Sequence, residues 1–85
     1  MTKMRPIPFV EFRSFLGQLG FVEKRVPKGR VLEHPDEGLL LFRSYRDEEP
    51  VLPRDVLRIR KLFELRGLME PDDFDAQLLR TNTPA

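Results

Sequence analysis

Two turn signals set close together constrain this chain more than anything else in it. Pro27-Lys28-Gly29 and Pro35-Asp36-Glu37-Gly38 each put a proline, whose ring fixes φ, ahead of a glycine that takes a left-handed exit without strain. Only short extended runs fit around them. Phe21–Val26, Arg30–His34 and Leu39–Tyr45 read as the strands of an antiparallel meander. In the third, the pleat sends Leu40, Phe42 and Ser44 to one face and Leu39, Leu41, Arg43 and Tyr45 to the other. The first face is expected to be core. The second is expected to be a surface, part apolar and part cationic, that carries the chain's one tyrosine.

Helices flank the meander. Phe9, Phe12, Phe15, Leu16 and Leu19 recur at helical spacing, which predicts an amphipathic helix over 8–19 with an aromatic core stripe. Pro8 suits its first turn and Gly20 its stop. Beyond the acidic connection Asp47-Glu48-Glu49-Pro50, the positions Val56, Ile59, Leu62 and Phe63 predict a helix from Pro53 to Arg66, ended by Gly67. A last short helix starts near Pro71, with Asp72 and Asp73 complementing its dipole and Phe74 and Leu78 docking it. The expected fold is α+β: a two-layer α-β-β-β-α sandwich with an added short helix, its three-stranded antiparallel sheet carrying helices on one face. Residues 8–79 are assigned to the domain, 1–7 to an N-terminal arm and 80–85 to a flexible tail.

Composition excludes several kinds of chemistry. With 85 residues the chain can bury one small core. Fifteen Lys plus Arg against fourteen Asp plus Glu leave a formal charge of +1, so no global field draws it to nucleic acid or membrane. The absence of cysteine and the single histidine exclude disulfides, thiolate zinc, a cysteine nucleophile and a two-histidine metal site. No apolar run nears the roughly 18 residues of a membrane span, and Met1–Pro8 has no apolar signal-peptide core. A soluble, cytoplasmic chain with neither cofactor nor metal is expected.

Candidate functional residues are mostly cations. Lys24, Arg25, Lys28 and Arg30 surround the first hairpin, and Arg43 and Tyr45 join them from the third strand. Together they offer phosphate contacts and a stacking ring for RNA, or charge for an acidic protein. The plainer alternative is a solvated hairpin tip that protects an edge strand. Arg54, Arg58 and Lys61 share one face of the second long helix, as a secondary basic surface or simply its wet side. His34 has no Ser, Thr or second base beside it and reads as a pre-turn residue held extended by Pro35. Glu70, Asp72, Asp73 and Asp75 lack calcium-loop spacing, and helix capping accounts for most of them. No Gly-rich phosphate loop, Gly-x-Ser-x-Gly or His-Glu-x-x-His is present.

Over roughly residues 8–79 the chain resembles the HicA-like (YcfA-like) family. The resemblance is carried by Leu19-Gly20-Phe21, His34-Pro35-Asp36-Glu37-Gly38, Val51-Leu52-Pro53, and Leu65-Arg66-Gly67-Leu68 followed by Asp73-Phe74. It implies a double-stranded-RNA-binding-domain-like fold. It also implies kinship with toxins that cleave mRNA and are restrained by a HicB antitoxin. Those toxins depend on a histidine in a Gly-Ser-His or Gly-Asn-His motif opening the second strand. Here, counting back from His34-Pro35, the three slots fall on Pro27, Lys28 and Gly29; anchored on Gly29, the last two fall on Arg30 and Val31. Neither register supplies a histidine. The acidic Asp47-Glu48-Glu49 also stands where basic or histidine-containing residues are expected, and it would repel phosphate.

The expectation is therefore a divergent, non-catalytic HicA-like binding module. Its partner would be RNA, bound weakly and in a salt-dependent way, or an acidic protein surface. A ribonuclease with a substituted site is the first alternative, using Arg30, Arg43, Tyr45 and His34. The second is a protein-interaction domain that meets a HicB-like antitoxin, or a second copy through the Leu39/Leu41 face or a free edge strand.

Overall fold

The computed structural model describes residues 5–79. Pro8, extended at φ −60° and ψ 146°, leads into α1 (Phe9–Gln18). Gly20 at φ +100° then closes the helix: its N–H bonds to the Gly17 carbonyl and the Phe21 N–H reaches back to that of Leu16. β1 (Val22–Lys24), β2 (Arg30–His34) and β3 (Gly38–Phe42) form an antiparallel sheet in the order β1-β2-β3. Val22 pairs with Glu33 and Lys24 with Val31, while Val31 faces Leu41 and Glu33 faces Leu39. α2 (Pro53–Arg66) has proline in its first turn and left-handed Gly67 at its end. α3 (Pro71–Phe74) runs into a wider helical turn, Asp75–Leu79. The architecture is the expected α+β one.

Register divides the sheet into two unlike faces. Leu32, Leu40 and Phe42 point inward and are buried. They pack with Phe9, Phe12 and Leu16 of α1 and with Val56, Ile59 and Phe63 of α2 in one core. Phe42 takes Phe9 and Phe12 edge-on at 5.8 and 5.7 Å. Phe74 anchors α3 by meeting Phe15 at 5.3 Å and Phe63 at 6.0 Å. Fully burying a side chain of this size contributes about 1.5–3 kcal/mol, and buried Leu78 anchors the turn that follows.

Several boundaries differ from the sequence reading. β1 ends at Lys24 rather than Val26, and Arg25–Gly29 form an exposed loop. β3 ends at Phe42 rather than Tyr45, because Phe42 pairs with Arg30, the first residue of β2, and nothing remains to pair with Arg43. The chain then bends, the Tyr45 N–H donating to the Arg43 carbonyl two residues back. That bend overturns the expected alternation. The Tyr45 ring turns into the core, 97% buried by its 3% exposure, and stacks on Phe9 at 5.3 Å. The folded unit also reaches back into the segment assigned to the arm: Ile7 is buried, and its carbonyl accepts from the Val51 N–H. The tail 80–85 lies outside the described residues.

Candidate functional site

Of the cations predicted around the first hairpin, Lys24, Arg25, Lys28 and Arg43 are exposed and Arg30 is drawn in from solvent. Arg30, which opens β2, is only 17% exposed in its side chain. It donates to both Glu23 carboxylate oxygens, to Asp47 Oδ1 at 3.1 Å and to the Tyr45 carbonyl at 2.6 Å. Its guanidinium lies over the Phe9 ring, 4.4 Å from the centroid. Arg13 adds a second cation to Glu23, at 3.1 Å. Arg30's donated hydrogen bonds, ahead of every other influence, hold the Glu23 carboxyl below the usual glutamate range. Through Asp47, the acidic connection thus serves a structural purpose: it neutralises the guanidinium at the mouth of the sheet.

The other predicted residues divide in the same way. Lys24 pairs with Glu33 across the strands at 2.8 Å. Arg43 pairs with Glu49 at 3.5 Å and lies 5.2 Å from the Tyr45 ring centroid. Tyr45 is not a stacking platform. Its hydroxyl donates to Asp55 at 2.5 Å and accepts the Leu52 N–H at 2.9 Å, tying the end of the meander to the start of α2. Burial first, then the bond to Asp55, pushes its ionisation above the usual tyrosine value. Among the described residues, Arg25 and Lys28 form no ion pair. They sit together on the exposed loop between β1 and β2.

On α2, Arg54 and Lys61 face solvent, with Lys61 3.5 Å from Glu64. Arg58 is different. It donates to the Leu41 carbonyl at 2.9 Å, while Arg66 donates to the Glu37 carbonyl at 2.6 Å. Eight helical residues span about 12 Å and four strand residues about 13 Å. The spacing of the two arginines therefore matches that of the two carbonyls along the outer edge of β3. The secondary basic face is partly a clasp on an edge strand, which sequence reasoning missed because the partners are main-chain atoms.

His34 and Gly20, carried by two motifs far apart in sequence, meet in space. His34 Nδ1 accepts the N–H groups of Asp36 and Glu37 at 3.0 and 3.2 Å, which ties the ring to the turn. The ring packs 5.0 Å from Phe21, and a Cβ on Gly20 would come within 2.9 Å of Nε2. Leu-Gly-Phe and His-Pro thus form a single contact. At Gly29, with φ +78°, a Cβ would lie 2.7 Å from the Phe42 carbonyl oxygen. Of the two slots where a histidine was sought, one has no room for any side chain. The other, Val31, lies on the outer face of the sheet.

What remains open is that outer face. Val22, Leu39 and Leu41 are 67%, 55% and 59% exposed, with Val31 between them and Lys24 and Glu33 beside them. A solvated antiparallel face is ordinarily polar, so adjacent aliphatic residues here are the surface's most unusual feature. A hollow of about 160 Å³ near Ser14, Gln18 and Gln77 is smaller than the roughly 300 Å³ at which small-molecule sites begin. No described helix is long and apolar enough to cross a membrane. Compared with known proteins, the chain is matched by no family model, no curated protein and no solved structure.

Proposed function

We propose that this chain is a non-catalytic binding module on a HicA-like scaffold, that it works through the open face of its sheet, and that it takes a protein rather than RNA. The observation that carries the reading is the contrast between the two candidate surfaces. Lys24, Arg30 and Arg43 are paired with carboxylates, whereas Leu39 and Leu41 lie exposed next to each other and Val22 is exposed on the far side of Glu33, with Val31 linking the two. An uncovered apolar patch rimmed by polar groups is the ordinary mark of a protein-binding surface. A HicB-like antitoxin is the partner the resemblance brings, and a cytoplasmic location belongs to the same proposal. A substituted ribonuclease is disfavoured because Arg30, Tyr45 and the Nδ1 of His34 are all occupied.

A weaker second reading rests on Arg25 and Lys28, which form no ion pair among the described residues. About two phosphate contacts give weak binding that modest salt removes. Titration with labelled single- and double-stranded RNA at low and moderate salt, each sample also run on a denaturing gel, tests both. The proposal predicts intact RNA and no saturable binding at moderate salt. Tight, salt-sensitive binding, or cleavage, that disappears in Lys28→Glu would overturn it. Lys28 suits this test because it is exposed, whereas changing Arg30 would take from Glu23 and Asp47 one of the two cations that each meets and disturb the fold.

A further inference from the structure

We infer that the occupant of the open sheet face is a second copy of this chain, packed face to face around a two-fold axis. The inference rests on the reading of that face as a protein-binding surface and commits it to one partner.

The edges offer poor alternatives. β3 has its outer carbonyls at Glu37 and Leu41 clasped by Arg66 and Arg58, so a neighbouring strand cannot add there without displacing both side chains. β1 is only three residues long and is followed by a loop containing Pro27, which has no N–H to donate. Both edges are blunted while the face is left apolar, and that directs association to the face.

The pattern on the face is self-complementary in one orientation. Register sets out two rows across the strands: Val22, Glu33, Leu39 and, next to it, Lys24, Val31, Leu41. A two-fold axis in the sheet plane at right angles to the strands lays the first row of one copy over the second row of the other. Leu39 then faces Leu41 of the second copy. Lys24 of each copy comes one strand spacing, about 4.8 Å, to the side of the other's Glu33. The Lys24–Glu33 bridge within each chain becomes part of a shared network of alternating sign. A two-fold axis along the strands instead sets Glu33 on Glu33, like charge on like. The first arrangement is therefore the one the face selects, with sheets about 10 Å apart as in other sandwiches. A formal charge of +1 puts almost no electrostatic repulsion in its way.

The size of the face sets the strength. Two strands of five residues and one of three give a footprint of at most about 14 by 17 Å, well short of the roughly 800 Å² that each partner buries in a standard stable complex. The dimer is consequently of the weak, transient class rather than the standard-size one.

Sedimentation equilibrium of the full chain from about 1 µM to 1 mM covers the affinities of weak, transient pairs. The expected result is a reversible monomer–dimer transition that Leu39→Glu and Leu41→Glu each shift upward at least tenfold, with circular dichroism unchanged because both leucines are exposed. Lys28→Glu should leave the transition where it is. The chain has no cysteine, so Leu39→Cys and Leu41→Cys each introduce a single thiol. With a short bismaleimide, an equal mixture of the two should cross-link preferentially as the mixed pair. A monomer at every concentration, or a dimer indifferent to Leu41→Glu, overturns the inference and gives the face to a different protein. Cross-links no more frequent in the mixture than in either variant alone overturn the stated axis. None of these results touches the protein-binding reading itself, which fails only through RNA binding or cleavage.

Discussion

At the residue scale, the side chains that looked most chemical turn out to be joints. Tyr45 carries the clearest case: one hydroxyl joins Asp55 to the Leu52 N–H while the ring stacks on Phe9. Tyr45→Phe keeps the ring and strands both partners, so it should cost about 1–3 kcal/mol in urea denaturation. A loss below ~0.5 kcal/mol would show that the hydroxyl is not holding α2. Glu23 is the acid-sensitive joint, because the hydrogen bonds from Arg30 favour its charged form and hold its pKa below the usual glutamate value in the folded chain. A depressed carboxylate contributes stability that is complete above the free-chain value of about 4.3 and is lost as pH falls through the lower folded value. Urea midpoints measured between about pH 5 and pH 2 should fall more steeply for the native chain than for Glu23→Gln, which has no proton to take up. Parallel curves would remove the Glu23–Arg30 pair from the account.

At the scale of elements, local chemistry was legible and partnership was not. Arg30–His34 and Pro53–Arg66 stand where turn residues and periodicity put them, and α1 differs by one residue at each end. Those features depend on a proline, a glycine or an apolar repeat close at hand. β3 is shorter than its apolar pattern suggests because β2 begins at Arg30, and a neighbour's length is not a local property; β1 pairs with only the middle three residues of β2. Tyr45 was misplaced for the same reason, since alternation was carried past the point where the ladder stops. The ion pairs were illegible in another way. Arg30 meets residues seven and seventeen positions away, so the cationic cluster showed in the sequence and its neutralisation did not. The clasp of Arg58 and Arg66 on β3 was equally hidden. Its role as an edge guard predicts that Arg58→Ala/Arg66→Ala, at a cost of about 0.5–1.5 kcal/mol per lost bond, makes the protein aggregate faster in light scattering at elevated concentration. An unchanged aggregation rate with only the stability loss would reduce the clasp to ordinary helix–sheet packing.

Across the whole molecule, charge is spent on holding the fold and apolar surface is left over. Arg60 with Asp75 at 2.8 Å, Arg30 with Glu23 and Lys24 with Glu33 follow one pattern: cation and carboxylate from different segments close onto each other. Such a surface has little to offer a phosphate backbone, whose binding depends on cations free to displace counterions. Leu19-Gly20-Phe21 and His34-Pro35 follow the same pattern, since Gly20, Phe21 and His34 pack together. The central claim is that the sheet face, and not the hairpin cations, is the working surface. The most direct test is amide chemical-shift mapping of the labelled protein, first on dilution and then with RNA at low salt. The account predicts that dilution moves the amides of Val22, Val31, Leu39 and Leu41 and that RNA moves at most the loop around Arg25 and Lys28, an effect erased by added salt. RNA-dependent shifts that persist in salt and spread through Arg30, Arg43 and Tyr45, with the sheet face silent on dilution, would contradict it.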